Sequence, residues 1–194
     1  QVRAAAALPD PGPGPSVVFV HGSWSSRVSA RLTAAGLRRD SVETLLRRND
    51  LCSVDQYARW RSGSGGVAPM LNTDPLPGPG PGLVGHQLSP GNTVLVQPGV
   101  EGDAGCLREA HADRLGSVEL EPLLWQAPPL DGARLVLARD LGPTGNAAVR
   151  RAFVDHRAWV GLDGGPGAPP RILGYEEGME LLWGGAAALS GGGG

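Results

Sequence analysis

The side chains able to do acid–base or nucleophilic chemistry are few in this 194-residue chain, and they are widely spaced. His21, His86 and His111 show none of the spacings typical of zinc ligands. His156 falls on the apolar face of a predicted strand, a position that favours a hydrogen-bonded core histidine over a base or a ligand. Cys106 lies five residues before His111, a separation that predicts no facing thiol–imidazole pair. We therefore predict no catalytic residues and no metal site.

Two segments nevertheless have a pattern typical of hydrolytic enzymes. Residues 17–24 begin with an apolar run that leads into His21-Gly22, followed by Ser23 and Trp24. About sixty residues later, residues 83–88 read Leu-Val-Gly-His-Gln-Leu. The two segments resemble the oxyanion-hole strand and the nucleophile elbow of α/β-hydrolases. The resemblance implies an esterase and makes Asp140 and His156 candidates for the rest of a triad.

The elbow itself departs from the hydrolase pattern. Gln87 stands where the family has Ser, Cys or Asp, and a carboxamide cannot attack an acyl carbon. Ser89 is displaced from the nucleophile position by two residues. Pro90 follows at once and argues against the helix that should support a nucleophile. An active esterase and an inactive relative of one both remain as alternatives to a structural role.

The basic residues are all arginine, and they are concentrated near the N-terminus. Eight arginines and four acidic residues lie in residues 27–61, so this segment carries a local net charge of +4 while the whole chain carries −2. A solvated helical face explains such a cluster, and a patch that contacts RNA or an acidic partner is the functional alternative. The candidates for that contact are Arg38, Arg39, Arg47 and Arg48.

The elements that must position these residues are mostly short strands. Residues 16–20 form a continuous apolar run, typical of a buried strand. Helical spacing occurs over residues 25–50, where Gly36 is a stop signal and Asp40 a cap, and a short amphipathic stretch lies around residues 179–183. Further strands are predicted over residues 93–97, 117–121, 134–139, 152–162 and 171–175.

These elements predict a single β-rich domain over residues 16–189. It contains the helical segment 25–50 and a long loop over residues 62–90, and it is flanked by an extended arm, 1–15, and a Gly-rich tail, 190–194. The 31 glycines and 18 prolines require many turns. The predicted fold class is mainly β (α+β), an antiparallel sandwich-like domain with long Pro/Gly loops.

Residues 116–140 carry a second resemblance. An alternating segment, a Pro-rich excursion and a returning segment behind Asp131-Gly132 follow one another. The passage resembles the paired strands near the start of the jelly-roll sandwich in coat proteins of small icosahedral RNA viruses. It implies a capsid or capsid-associated protein, although the 54 residues after Asp140 are few for the remaining strands.

The cysteine pattern and the apolar runs exclude several other classes of site. Cys52 and Cys106 are far apart and form no CxxC, a pattern that favours two buried free thiols over a disulfide or a zinc site. No apolar run approaches the roughly 18 residues that span a bilayer. We expect no cofactor and no membrane contact.

The resulting hypothesis is a non-enzymatic structural subunit of a large assembly, in its specific form a viral capsid protein. A supernumerary subunit of an organellar or phage complex is the alternative. The expected partners are other copies of the chain or other subunits, within a virion or an intracellular assembly. Exposed tryptophan is typical of such interfaces, and the candidates are Trp125, Trp159 and Trp183.

Overall fold

The computed structural model describes residues 8–63, 84–89, 92–96, 104–125, 133–165 and 167–184. These residues fall into two compact units. Unit 1 draws on Gln1–Arg27 and Ala112–Gly185, and the described part of unit 2 lies within Val28–His111.

The described residues contain six strands and seven α-helices. The strands are β1 (Ser16–Val20), β2 (Val84–Ser89), β3 (Asn92–Val96), β4 (Leu135–Arg139), β5 (Arg157–Leu162) and β6 (Arg171–Gly174). The α-helices are α1 (Trp24–Ala34), α2 (Arg39–Arg48), α3 (Leu51–Arg61), α4 (Ala104–Asp113), α5 (Glu121–Trp125), α6 (Gly142–Ala152) and α7 (Tyr175–Met179), and a π-helical turn covers Glu180–Gly184.

Unit 1 is built on a four-stranded sheet in the order β4-β1-β5-β6. β1 runs parallel to both of its neighbours, with Val18 opposite Leu137 on one side and Trp159 on the other. β6 pairs antiparallel with β5. All five residues of β1 are buried. Its sequence is a continuous apolar run because a central parallel strand is covered on both faces.

The core of unit 1 lies between this sheet and the C-terminal helical segment. Phe19 and Val160 of the sheet and Tyr175 of α7 belong to it, and the Phe19 and Tyr175 ring centroids are 5.3 Å apart. Gly178 allows α7 to approach β5 closely, because a Cβ at this position would lie 2.5 Å from the Cβ of Val160. A side chain here would therefore disturb the packing of α7 on the sheet.

The predicted antiparallel sandwich is wrong, because unit 1 is an α/β arrangement with a mostly parallel sheet. Residues 117–121 alternate as a strand would, yet they form turns that lead into α5. The predicted strand over 152–162 begins only at Arg157, since α6 continues to Ala152. Apolar and polar residues alternate in these connecting segments, which is the pattern of a half-buried strand. The strands of a parallel sheet that is covered on both faces need no such alternation.

The helix content was underestimated for a local reason. Helices α3, α4 and α6 all lie outside the predicted helical segment 25–50. α6 begins at Gly142-Pro143, two residue types that are typical of loops. Proline also suits the first turn of a helix, where its missing N–H has no intrahelical partner to lose.

The passage that resembles a coat-protein strand pair also has a different structure. Its described part contains α5 and β4, and β4 pairs parallel with β1. The described residues of 116–140 therefore hold no antiparallel pair of the kind that the resemblance implies.

Several other predicted elements are confirmed. β1, β3, β4 and β6 lie where strands were expected, and α1 and α2 fill most of the helical segment 25–50. Gly36 follows α1 with a φ of 88°, the left-handed conformation that commonly ends a helix. Within the predicted loop 62–90, residues 84–89 form β2 instead. Residues 64–83 of that loop, 1–7 of the arm and the tail 190–194 lie outside the described residues.

Unit 2 contains a disulfide between Cys52 of α3 and Cys106 of α4, with a Cα–Cα distance of 5.1 Å. The expectation of two free thiols is therefore wrong. One helical turn beyond each cysteine, Asp55 and Glu109 are buried, and both are bonded to the guanidinium of Arg31 in α1. A covalent bond and a shared cation thus join the same two helices.

Candidate functional site

The candidate site is formed where two parallel strands end side by side. Val20 and Arg139 are register partners, so the next residues, His21 and Asp140, follow β1 and β4 at the same edge of the sheet. The Asp140 N–H donates to the Val20 carbonyl at 2.9 Å and extends the ladder past the strands. In open α/β sheets this carboxyl edge is where ligands bind. The edge is therefore the first place to look for chemistry.

His21 and Asp140 form a buried pair at this edge. The Nδ1 of His21 lies 2.7 Å from Oδ2 of Asp140, and neither side chain is exposed. The bond to a carboxylate oxygen places a proton on Nδ1. The Nε2 atom lies 2.9 Å from the carbonyl oxygen of Ala112, which only accepts, and 3.3 Å from Nη1 of Arg27, which only donates. The protonation of Nε2 therefore decides which of these two it binds.

Asp140 is the centre of the hydrogen-bond network. Its Oδ1 accepts from the Asn146 side-chain amide at 2.7 Å and from the Gly142 N–H at 2.9 Å. Its Oδ2 accepts from Nε1 of Trp183 at 3.3 Å in addition to His21. Burial alone would raise the pKa of Asp140, but the hydrogen bond and charge of His21, with the bonds from Asn146 and Gly142, hold it below its ordinary value. Asp140 is therefore kept as a carboxylate.

Arg27 closes the network from α1. Its Nη1 donates to the Gly22 carbonyl at 2.6 Å, and its guanidinium carbon lies 5.5 Å from the centroid of the Trp183 ring. The side chain of Arg27 is fully buried. A buried cation is tolerated only when it is bonded within the fold, and these contacts tie α1 to the end of β1 and to the C-terminal helical segment.

The loop between β1 and α1 is bonded to carboxylates of the same unit. The Trp24 N–H donates to Oδ1 of Asp113, and the Ser23 hydroxyl donates to Oε1 of Glu121 at 3.1 Å. Arg139 donates to the Ser26 hydroxyl. Burial lowers the pKa of Arg139, and the charge of Glu121 opposes that shift. These polar groups are thus bonded within the protein, whereas the indole Nε1 of Trp24 is buried without a hydrogen-bond partner among the described residues.

In the described residues, the polar groups of this edge are bonded mainly to one another. A histidine that acts as a base must present a ring nitrogen to the reacting group. Here Nδ1 is taken by Asp140, while Nε2 faces Ala112 and Arg27 in a site with no exposed surface on His21 or Asp140. The network joins β1, β4 and α6 through the side chains of His21, Asp140 and Asn146.

The hydrolase-like elements are not brought together in the structure. Gln87 lies on β2, which pairs antiparallel with β3 in unit 2 rather than joining the parallel sheet. Asp140 binds His21 and not His156. His156 is half-buried, with Nε2 3.3 Å from the carbonyl oxygen of Ala133 and its ring packed edge-on against Phe153. The contacts of His156 agree with the expectation of a hydrogen-bonded histidine.

The four candidate arginines lie on or next to α2. Arg38, Arg39 and Arg47 are highly exposed and pair with Asp40 or Glu43 at 3.1–3.7 Å. Arg48 is exposed in the last turn of the same helix. The four arginines lie at the two ends of α2 with two carboxylates between them, and contact with RNA stays a prediction.

The three candidate interface tryptophans have different environments. Trp125 is 80% exposed at the end of α5. Trp159 is half-buried in β5. Trp183 is buried in the core of unit 1 and bonded to Asp140. Among these three, Trp125 presents a large apolar surface.

The His21–Asp140 pair was not predicted, although the sequence contains a signal for it. Each residue directly follows an apolar strand, and parallel strands place their carboxyl ends at one edge. The pairing would have followed from placing β1 and β4 side by side. No sequence signal indicated Asn146 or Trp183 as further partners.

Metal-binding clusters of three or more His, Cys, Asp or Glu are absent from the described part of the chain. Among the same residues, no helix has the length and apolar character to cross a bilayer. Comparisons with protein-family models, curated proteins and solved structures gave no match.

Proposed function

We propose that this chain is a non-catalytic structural domain that acts by binding other copies of itself or other subunits of an assembly. The closed network around His21 and Asp140 is the observation that carries the proposal. At the edge where an α/β enzyme places reacting groups, these polar side chains are buried and bonded to one another. Such an edge stabilises a fold and offers a substrate no partner.

The surface of unit 1 provides a candidate contact region. Trp125 is 80% exposed and Val118 is 62% exposed, and both belong to the segment between α4 and β4. Large exposed apolar side chains lose unfavourable contact with water when a partner covers them. Tryptophan is also the residue type most enriched among energetically dominant interface contacts. We assign this segment, defined by Val118 and Trp125, as the contact segment.

Two more specific hypotheses, a viral capsid protein and an esterase, have less support than a structural domain in general. The capsid form drew on a strand pair in residues 116–140, and that passage instead contains α5 and a parallel strand. The esterase alternative drew on an elbow at Gln87, and β2 belongs to an antiparallel hairpin. The proposal therefore rests on the network and the contact segment alone.

Two measurements test the proposal. Light scattering across a concentration series should give a mass above that of the 20.0 kDa monomer, and Trp125→Ala should shift the mass towards the monomer. Trp60→Ala is the matched control, since Trp60 is 40% exposed but packs on Tyr57. A monomer at every concentration would contradict assembly through copies of this chain.

The second measurement addresses catalysis directly. The full chain is incubated with a fluorophosphonate probe and, separately, with p-nitrophenyl esters. We expect neither labelling nor hydrolysis above that of the His21→Ala variant. Stoichiometric labelling of a serine such as Ser23 would overturn the non-catalytic assignment.

A further inference from the structure

Unit 1 contains a cavity of about 410 Å³ at the end of the sheet opposite the His21–Asp140 network. Its floor is formed by Val17 and Ala158, which are register partners near the amino ends of β1 and β5. Phe153 and His156 form a wall, and Arg150 and Arg151 of α6 form the rim. The volume falls within the range of roughly 300–1,000 Å³ that is typical of small-molecule sites.

The floor and the wall combine apolar side chains with the imidazole of His156. Val17 is 1% exposed, and Ala158 and Phe153 pack against the core. The Phe153 and His156 rings are 5.2 Å apart and nearly perpendicular. Because Val17 is already buried, a ligand in the cavity would gain contact mainly with the half-buried side chains of Phe153 and Ala158.

The two arginines of the rim are not equivalent. The guanidinium of Arg150 stacks 4.2 Å from the centroid of the Tyr175 ring and lies 3.4 Å from a Glu176 carboxylate oxygen. Arg151 is exposed and forms no ion pair with a carboxylate among the described residues. Its guanidinium is thus the available cation at the mouth of an apolar cavity.

The location of Arg151 in the last turn of α6 has an alternative explanation, which accounts for the arginine but not for the cavity. Basic residues in the last turn of a helix interact favourably with the helix dipole, and this would account for both arginines on a filled surface. The space beneath them is lined by apolar side chains that a well-packed core would close. An apolar cavity with one available guanidinium at its mouth matches a ligand with one apolar part and one anionic group.

We propose that this cavity binds a small amphiphilic anion, whose apolar body lies against Val17, Ala158 and Phe153 and whose carboxylate or phosphate is bound by Arg151. Guanidinium groups bind both anions through paired, charge-assisted hydrogen bonds. The site lies outside the His21–Asp140 network, and the proposal is independent of the assembly role.

Fluorescence titration of the full chain with 8-anilinonaphthalene-1-sulfonate, followed by competition, tests the site. Decanoate and decyl phosphate should displace the dye at a single saturable site. Decanol and decyltrimethylammonium, which have the same chain length without the anion, should bind at least about tenfold more weakly, because they lack the charge-assisted hydrogen bonds to the guanidinium. Equal displacement by decanol and decanoate would overturn the assignment of an anion site.

Two variants separate the anionic group from the apolar body. Arg151→Ala should weaken decanoate about tenfold and leave decanol unchanged, whereas Arg171→Ala, at an exposed arginine of β6, should change neither. Ala147→Leu adds volume at the cavity lining and should weaken every ligand. Thermal unfolding shows whether each variant is folded. If Ala147→Leu does not fold, the surface substitution Arg151→Ala alone tests the proposal. Unchanged decanoate affinity in Arg151→Ala would contradict the proposal.

Discussion

His21 and Asp140 are separated by 119 residues in the chain, yet Nδ1 of the first lies 2.7 Å from Oδ2 of the second with no exposed surface on either side chain. The pair closes the carboxyl edge of the parallel sheet. Removal of one partner from a buried, hydrogen-bonded pair leaves the other without compensation, which typically destabilises a fold by about 3–5 kcal/mol. The pair is therefore a sensitive probe of the structure.

The first prediction concerns acid stability. The folded pKa of Asp140 lies below the ordinary value of about 3.9, so its carboxylate form stabilises the fold. That contribution is fully present above pH of about 4 and is lost as the pH falls through the lower, folded pKa. Urea unfolding from pH 7 to pH 2 should show this loss in the wild type and a smaller one in Asp140→Asn.

Asp140→Asn should also lower the free energy of unfolding at pH 7 by about 3 kcal/mol or more. Asp155→Asn is the control, since Asp155 is exposed and its replacement should change stability by less than about 0.5 kcal/mol. The same acid dependence in wild type and Asp140→Asn would contradict the assigned role of this carboxylate.

The second prediction concerns the disulfide between Cys52 and Cys106. Its cysteines are 54 residues apart in the chain, and on the chain-entropy account closure of a loop of this length stabilises the fold by about 4 kcal/mol. Guanidinium unfolding should therefore be shifted to lower denaturant by reduction, and by the double change Cys52→Ala with Cys106→Ala. The double variant should not respond to reductant. Two alkylatable thiols in the unreduced, denatured protein would show that the bond is absent.

The third prediction concerns Arg31, which is bonded to both Asp55 and Glu109. Arg31→Met removes a cation that these two buried carboxylates share, while Arg59 stays 2.9 Å from Asp55, and we expect a loss of about 1–3 kcal/mol in the free energy of unfolding. Arg39→Met removes an arginine whose side chain is 92% exposed and paired with Glu43, and should cost less than about 1 kcal/mol. Equal effects of the two substitutions in denaturant titrations would refute the role assigned to Arg31.

The fourth prediction concerns the packing of α7 on β5. Gly178→Ala places a Cβ 2.5 Å from Val160, and such overpacking typically costs about 1–3 kcal/mol. Gly174→Ala is the matched control four residues earlier, because a Cβ there would meet no atom within 4 Å. Thermal unfolding should therefore separate two chemically identical substitutions, and a common melting temperature would argue against the close approach.

Much of the local structure could be predicted from the sequence, and the fold class could not. The apolar run of residues 16–20 and the glycine at position 36 correctly indicated a buried strand and a helix end. The alternation of residues 117–121 predicted a strand where turns lead into a helix, and the strand predicted over residues 152–162 begins only at Arg157. Each wrong assignment rests on a pattern that two different structures satisfy equally well.

The sequence by itself determined the secondary structure of segments whose conformation depends on residues nearby in the chain. The four consecutive apolar side chains from Val17 to Val20 indicated a strand that is covered on both faces, and β1 is buried along its length. Turns had to be frequent wherever glycine and proline are concentrated.

Only the tertiary structure decided which distant residues meet. The bonds between His21 and Asp140 and between Cys52 and Cys106 require strands and helices from separate parts of the chain to lie side by side. That choice depends on which arrangement buries the apolar surface of all elements together while each buried polar group keeps a partner. No short segment contains that information, since the free energy that selects the arrangement belongs to contacts between segments.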